Sequence, residues 1–137
     1  MANFNIFGGR RILLVEDDYF LVYDLIQQLE ANGAEVVGPV PSLGAALERL
    51  RSPGRLDGAI LDINLQGQHV FPLADALARR EIPFVFATAY DATIVPPRFA
   101  DVPVLGKPVA IDESAAALLP DGVTMPARIP ALETYPG

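Results

Sequence analysis

Three carboxylates, one hydroxyl and one ammonium each stand just after a short apolar run, and that set can handle a phosphoryl group. Ile12-Leu-Leu-Val15 runs into Glu16 and Asp17, and Ala59-Ile-Leu61 into Asp62. Phe84-Val-Phe-Ala87 runs into Thr88, and Val104-Leu105 reaches Lys107-Pro108 through Gly106. Three carboxylates crowded together repel one another, which raises a pKa or costs stability unless a cation joins them. Mg²⁺ suits such a group, because it takes a few carboxylates, keeps some water and accepts phosphoryl oxygen. A carboxylate such as Asp62 can act as a nucleophile and carry the phosphoryl group as an acyl phosphate. Thr88 and Lys107 could then hold the phosphoryl oxygens.

The elements between these residues put them at one edge. Residues 11–15 read as a first strand. A helix follows from about Tyr19 to Asn32, with Leu21, Val22, Leu25, Ile26 and Leu29 on one face, Asp18 as N-cap and Asn32-Gly33 as stop. Glu35-Val-Val-Gly38 reads as a second strand closed by Pro39 and Pro41, and Ser42 caps a short helix with Leu43, Leu47 and Leu50 inward. Residues 58–62 form the third strand. The loop Ile63-Asn-Leu-Gln-Gly67 leads to a helix striped by Val70, Leu73, Ala74 and Leu77, where Pro72 fits only in the first turn. Residues 83–88 form the fourth strand. Pro96-Pro97 limits 91–102 to a turn or two, a fifth strand covers about 103–106, and a last helix runs roughly from Ile111 to Leu119. Short apolar strands alternating with helices read as a parallel sheet covered on both faces. In such sheets the site lies outside the carboxyl ends of the strands.

Composition narrows the function. The chain has 137 residues, half of them hydrophobic, so one globular domain is expected, at residues 10–119. The stretch 120–137, punctuated by Pro120, Pro126, Pro130 and Pro136, reads as an extended or disordered tail. No apolar run approaches the roughly 20 residues of a membrane span. The N-terminal basic pair Arg10-Arg11 follows apolar residues instead of preceding them, unlike a signal peptide. Absence of cysteine removes disulfide and thiolate chemistry and favours a cytoplasmic protein. A net charge of −7 argues against direct nucleic-acid binding.

These residues, in this order, resemble the receiver domain of two-component response regulators, the chemotaxis-regulator-like flavodoxin fold. The resemblance rests on Leu14-Val-Glu-Asp-Asp18, Leu61-Asp-Ile-Asn-Leu65, Thr88-Ala89 and Lys107-Pro108 over residues 10–119. It implies a doubly wound α/β fold with a five-stranded parallel sheet in the order 2-1-3-4-5, and here a shortened fourth helix. It also implies roles: Asp62 as phosphoacceptor, Glu16 and Asp17 as Mg²⁺ acids, and a backbone carbonyl from Asn64 to the metal. Thr88 would be the switch hydroxyl, Lys107 the phosphate-pairing lysine, and Lys107–Pro108 a cis bond. More narrowly, Pro83-Phe-Val-Phe-Ala-Thr-Ala-Tyr90 resembles the Pro-Phe-x-Phe-Ala-Thr-Gly-Tyr signature of an alphaproteobacterial subgroup, often single-domain.

Departures from the pattern matter. Ala89 replaces the signature's glycine, which makes positive φ costly there and argues against an extremely mobile loop. Val104 stands where many receivers carry a rotating Tyr or Phe, and Val109 where Phe is common. Coupling of Thr88 to a buried aromatic cannot take the usual form, and Tyr90 is a candidate substitute. The surface most receivers use to dimerise is altered by Pro96-Pro97.

The resemblance implies a stand-alone regulator that accepts a phosphoryl group from a sensor histidine kinase and signals by protein contact or by phosphotransfer. It is expected to be no enzyme beyond its own dephosphorylation. Two alternatives remain at this level: a phosphate-independent interaction module, and a haloacid-dehalogenase-type phosphohydrolase. The latter needs a second acid two residues after its nucleophile, where this chain has Asn64. His69, Asp57, Asp75 and Arg79-Arg80 read as solvated or turn residues, and Phe84 and Phe86 as core.

Overall fold

The computed structural model describes residues 5–89 and 92–119. Five parallel strands form one sheet: β1 (Arg11–Val15), β2 (Glu35–Val40), β3 (Gly58–Asp62), β4 (Phe84–Thr88) and β5 (Val104–Gly106). Their order is β2-β1-β3-β4-β5. Ile12–Val15 and all of β3 are buried, as strands covered on both faces must be. Alternate residues face opposite layers. Leu13, Val15, Ala59, Leu61 and Phe86 pack beneath α2 (Leu43–Arg51) and α3 (Phe71–Arg79). Ile12, Leu14, Ile60, Val85 and Ala87 pack beneath α1 (Tyr19–Ala31) and α4 (Ile111–Leu118).

Register carries the chemistry to one edge. Asp62 pairs with Ala87, and Thr88 with Gly106, so β3, β4 and β5 end level and Lys107 is the next residue out. The helix signals operate as read. Asp18 accepts hydrogen bonds from the N–H groups of Phe20 and Leu21, and Ser42 accepts one from Ala45. Pro72 sits in the first turn of α3, where its missing N–H is harmless.

Four features differ from the sequence reading. First, β2 does not close at Pro39 but runs through a cis Gly38–Pro39 bond to Val40. It is an edge strand, where proline is tolerated, and its register with β1 shifts between Leu13 and Val15. Gly38 has φ +113°, and a Cβ there would lie 2.6 Å from the Leu14 carbonyl oxygen. The irregularity delivers the Val40 carbonyl to the Glu16 N–H at 3.0 Å.

Second, the loop after Asp62 is a small antiparallel hairpin, Asn64–Leu65 against Gln68–His69. Gln66 and Gly67 both have positive φ, 53° and 85°, as a two-residue turn of this twist requires. Third, no shortened α-helix forms between β4 and β5 among the described residues. Two 3₁₀ turns stand there, Ala92–Ile94 and Pro97–Phe99. Phe99 is buried, with Phe71, Phe84 and Phe86 at ring-centroid distances of 6.0, 6.0 and 5.5 Å. Arg98 grips Asp75 on α3 through two 2.9 Å hydrogen bonds and covers the Phe99 ring at 4.6 Å. An aromatic anchor and a bidentate ion pair replace helical hydrogen bonds in holding the segment. Fourth, Leu21 does not join the buried stripe of α1, which is Val22, Leu25 and Leu29.

Val104 is half-buried opposite Phe86 on β4. Tyr90 and the stretch 120–137 lie outside the described residues. No helix among the described residues is long and apolar enough to cross a membrane.

Candidate functional site

The strand ends form a cleft of about 360 Å³ lined by Glu16, Asp17, Asp62, Asn64, Thr88 and Lys107. Glu16 is nearly inaccessible, held at its backbone by Val40 and at its Oε2 by the Asp18 N–H at 3.0 Å. Asp18 spends its own carboxylate on the α1 cap, which separates it from the other two acids of the run. Asp62 is 8 % exposed at the end of β3, and its Oδ1 accepts from the Asn64 N–H at 3.4 Å. Lys107 reaches across from the end of β5, where its N–H donates to the Thr88 carbonyl at 3.1 Å. Its ammonium lies 2.5 Å from Glu16 Oε1 and 3.2 Å from Asp62 Oδ1. The Lys107–Pro108 bond is cis, as the resemblance implied. Ala89 is not among the described non-glycine residues with positive φ, which are Gln66 and Glu81.

Burial governs the charges. It pushes the Glu16 carboxyl up to about 7, helped by the nearby Asp62 charge and opposed by the hydrogen bonds from Lys107 and the Asp18 N–H. Burial also acts most strongly on Lys107, in the downward direction. The hydrogen bond to Glu16 and the charges of Asp62 and Glu16 together outweigh it, so the ammonium is held above its ordinary value. One ammonium among three carboxylates leaves the cluster two charges short of neutrality. Oxygens of Glu16, Asp17 and Asp62 lie within 4.8 Å of one another. An anionic, all-oxygen donor set with this deficit fits a hard divalent cation such as Mg²⁺ and offers nothing to a soft metal.

The structure therefore gathers all six predicted cleft residues in one place. His69 stays apart: it is exposed on the hairpin, its ring 5.5 Å from Phe71. Asp57 is a turn acid as read, and accepts the Arg11 N–H at 2.8 Å. Arg80 closes a helix end by donating to the Leu50 carbonyl at 2.8 Å. Sequence reasoning missed the apolar rim of the cleft, Leu21 and Ile94. The signal was present in Tyr19-Phe-Leu-Val-Tyr23, since five consecutive apolar residues on one helix cannot all face inward.

Similarity to solved structures decides the family. The chain is similar to SdrG from Sphingomonas melonis Fr1 at 43 % identity, over 81 % of this chain and 97 % of that one, with a TM-score of 0.71. It is similar to the HemR receiver domain from Leptospira biflexa at 30 % identity, over 76 % and 86 %, with a TM-score of 0.63. The chain belongs to the response regulator receiver family. The BeF3-activated conformation of SdrG from Pseudomonas melonis Fr1 matches this receiver at 45 % identity, over 79 % and 92 %, with a TM-score of 0.65. No family model and no curated protein sequence matches it. As a receiver domain of two-component signalling, it carries at its strand ends an acidic cluster able to hold a divalent metal.

Proposed function

We propose that this receiver is an Mg²⁺-dependent phosphoacceptor served by a sensor histidine kinase. One observation carries the reading: the Asp62 carboxylate lines the cleft within reach of the Lys107 ammonium and within 4.8 Å of the Glu16 and Asp17 carboxylates. One Asp62 carboxylate oxygen attacks phosphorus, and the acyl O–P bond forms as the N–P bond to the kinase's phosphohistidine breaks and the imidazole leaves with the electron pair. Its Oδ1 already accepts from the Asn64 N–H and lies 3.2 Å from the Lys107 ammonium. Lys107 and Thr88 take up the charged phosphoryl oxygens on the β4–β5 side. Glu16, Asp17, Asp62 and the Asn64 carbonyl would hold the cation, which supplies charge neutralisation for the incoming phosphoryl group. Beyond its own dephosphorylation the protein is no enzyme, and the reading places it in the cytoplasm. Its place in the alphaproteobacterial subgroup is supported by the Pro83–Tyr90 signature. Output follows through a downstream protein, by contact or by phosphotransfer.

The test is intact mass after incubation with Mg²⁺ and acetyl phosphate, wild type beside Asp62→Asn. One phosphoryl group on the wild type alone is expected. Equal labelling of Asp62→Asn would move the acceptor elsewhere. No labelling from acetyl phosphate or from any kinase would leave a phosphate-independent module.

A further inference from the structure

At the edge where the strands begin, opposite the Asp62 cleft, a small recess of about 30 Å³ gathers three arginines from three elements. Arg11 opens β1, Arg49 stands in the last turn of α2, and Arg80 follows α3. Ser52 and Gly54 of the α2–β3 loop, with Leu56 and Ile82, also line it. Guanidinium groups repel one another, so three of them around one recess call for a physical reason. Arginine at a helix end is commonly held by that helix's own last carbonyls. Arg80 instead donates to the Leu50 carbonyl of α2 at 2.8 Å, and Arg11 donates to the Arg55 carbonyl at 2.6 Å. The loop is shaped around Arg11: Gly54 has φ +127°, and a Cβ there would lie 2.7 Å from Arg11 Nη1.

Charge and size choose the occupant. The nearby acids are already matched: Glu35 with Arg11 at 3.2 Å, Glu48 with Arg51 at 3.0 Å and Asp57 with Arg55 at 2.9 Å. Glu81 is exposed and does not line the recess. Arg49 and Arg80 have no carboxylate partner among the described residues, which leaves two positive charges uncompensated. A guanidinium offers five N–H donors. Arg80 spends one on Leu50, and Arg11 spends two, on Arg55 and Glu35, so both are oriented by the protein and keep donors for a ligand. The planar fork of arginine matches the oxygens of a phosphate group, which carries about two negative charges at neutral pH. A volume of about 30 Å³ holds one such head and leaves no room for a sugar or base beside it.

We propose that this recess is a second anion site, which takes a phosphate-type dianion: Arg49 and Arg80 bind its oxygens and Arg11 supplies the third guanidinium. The occupant is inorganic phosphate or the head of a small phosphomonoester, which share the chemistry the arginines recognise. The site is independent of the phosphoacceptor: it lies at the strand starts, makes no use of Asp62, needs no metal and forms no covalent bond. Filled, it ties the end of α2, the end of α3 and the start of β1 through one ion, so the ligand stabilises the fold in step with its occupancy.

The test is a heteronuclear NMR titration of the full chain in EDTA at neutral pH, with ionic strength held constant by sodium chloride. Inorganic phosphate, glycerol phosphate and acetate are the probes, and Arg49→Gln, Arg80→Gln and Arg51→Gln the variants. Arg49 and Arg51 are both exposed on α2, and Arg51 does not line the recess, so it controls for the loss of one charge. Expected are saturable shifts of the Ser52, Gly54 and Ile82 amides with a phosphate probe, and weaker binding of acetate. Affinity is expected to fall about tenfold in Arg49→Gln and in Arg80→Gln, and to stay within about twofold in Arg51→Gln. Tighter binding of inorganic phosphate assigns the free ion, and tighter binding of glycerol phosphate assigns a monoester head. Equal losses in Arg49→Gln and Arg51→Gln would reduce the effect to diffuse surface charge and overturn the site. Unchanged affinity in Arg80→Gln, whose fold the same spectra verify, would also overturn it, as would acetate binding as tightly as phosphate or the absence of saturable shifts.

Discussion

Lys107 occupies ground that a bound cation would take, and replacing it with methionine separates the two roles. Its ammonium bridges Glu16 and Asp62, two of the three acids that would bind the cation. A cation arriving at those carboxylates must loosen the hydrogen bond to Glu16. A hydrogen bond to a charged group is worth about 2 kcal/mol, and giving it up is charged against metal binding. Lys107→Met removes that competitor, so Mg²⁺ affinity is expected to rise about thirtyfold. Methionine keeps the length of the apolar stem, so packing in the cleft changes little. The metal-free variant has three carboxylates with no counterion, and it is expected to melt at a lower temperature than wild type. Added Mg²⁺ should therefore raise its melting temperature by more than it raises that of the wild type. Titration calorimetry at pH 8.5, where Glu16 is ionised, gives the affinities, and scanning calorimetry with EDTA or Mg²⁺ gives the melting shifts. A variant that binds Mg²⁺ no tighter than wild type would refute the reasoning, because ammonium and cation would then not be competing for the same oxygens.

Three further outcomes follow from the structure. In EDTA, the raised Glu16 carboxyl means the folded chain binds the extra proton between about 4.5 and about 7, so this group's stabilisation is present at low pH and lost as pH rises through 7. Urea unfolding against pH should show that fall in wild type and lose it in Glu16→Gln; parallel curves would discount the burial of Glu16 as its cause. Gly38→Ala places a Cβ against the Leu14 carbonyl at φ +113° and is expected to cost about 1–3 kcal/mol in urea unfolding, while shifting the Glu16 amide resonance that reports its bond to Val40. Phe99→Ala empties the aromatic cluster and is expected to cost about 3–5 kcal/mol, with accelerated amide exchange in residues 98–102; unchanged exchange there would show that Arg98 and Asp75 hold the segment unaided.

What could be read from the sequence is what depends on nearest neighbours and periodicity. The apolar runs ending in Glu16, Asp62, Thr88 and Lys107, and the caps Asp18 and Ser42, are local signals, and in a parallel sheet strand ends converge by topology alone. The family and six cleft residues were therefore legible before any coordinates. Other features depend on partners distant in the chain. Gly38-Pro39 reads as a strand end until β1 lies beside it and accepts an edge strand with an irregular register. Pro96-Pro97 reads as a broken helix, yet only the pocket formed by Phe71, Phe84 and Phe86 shows why Phe99 makes the segment hold. Leu21 fits the inward stripe of α1 by spacing, and only the crossing of that helix over the sheet turns it toward the cleft. Within the run Glu16-Asp17-Asp18, the cap role of Asp18 is a local signal, whereas the partners of Glu16 and Asp17 are not. Tertiary structure ties Glu16 to the Lys107 ammonium and gathers Glu16 and Asp17 with Asp62, because burial, charge and hydrogen bonding act through space and not along the chain.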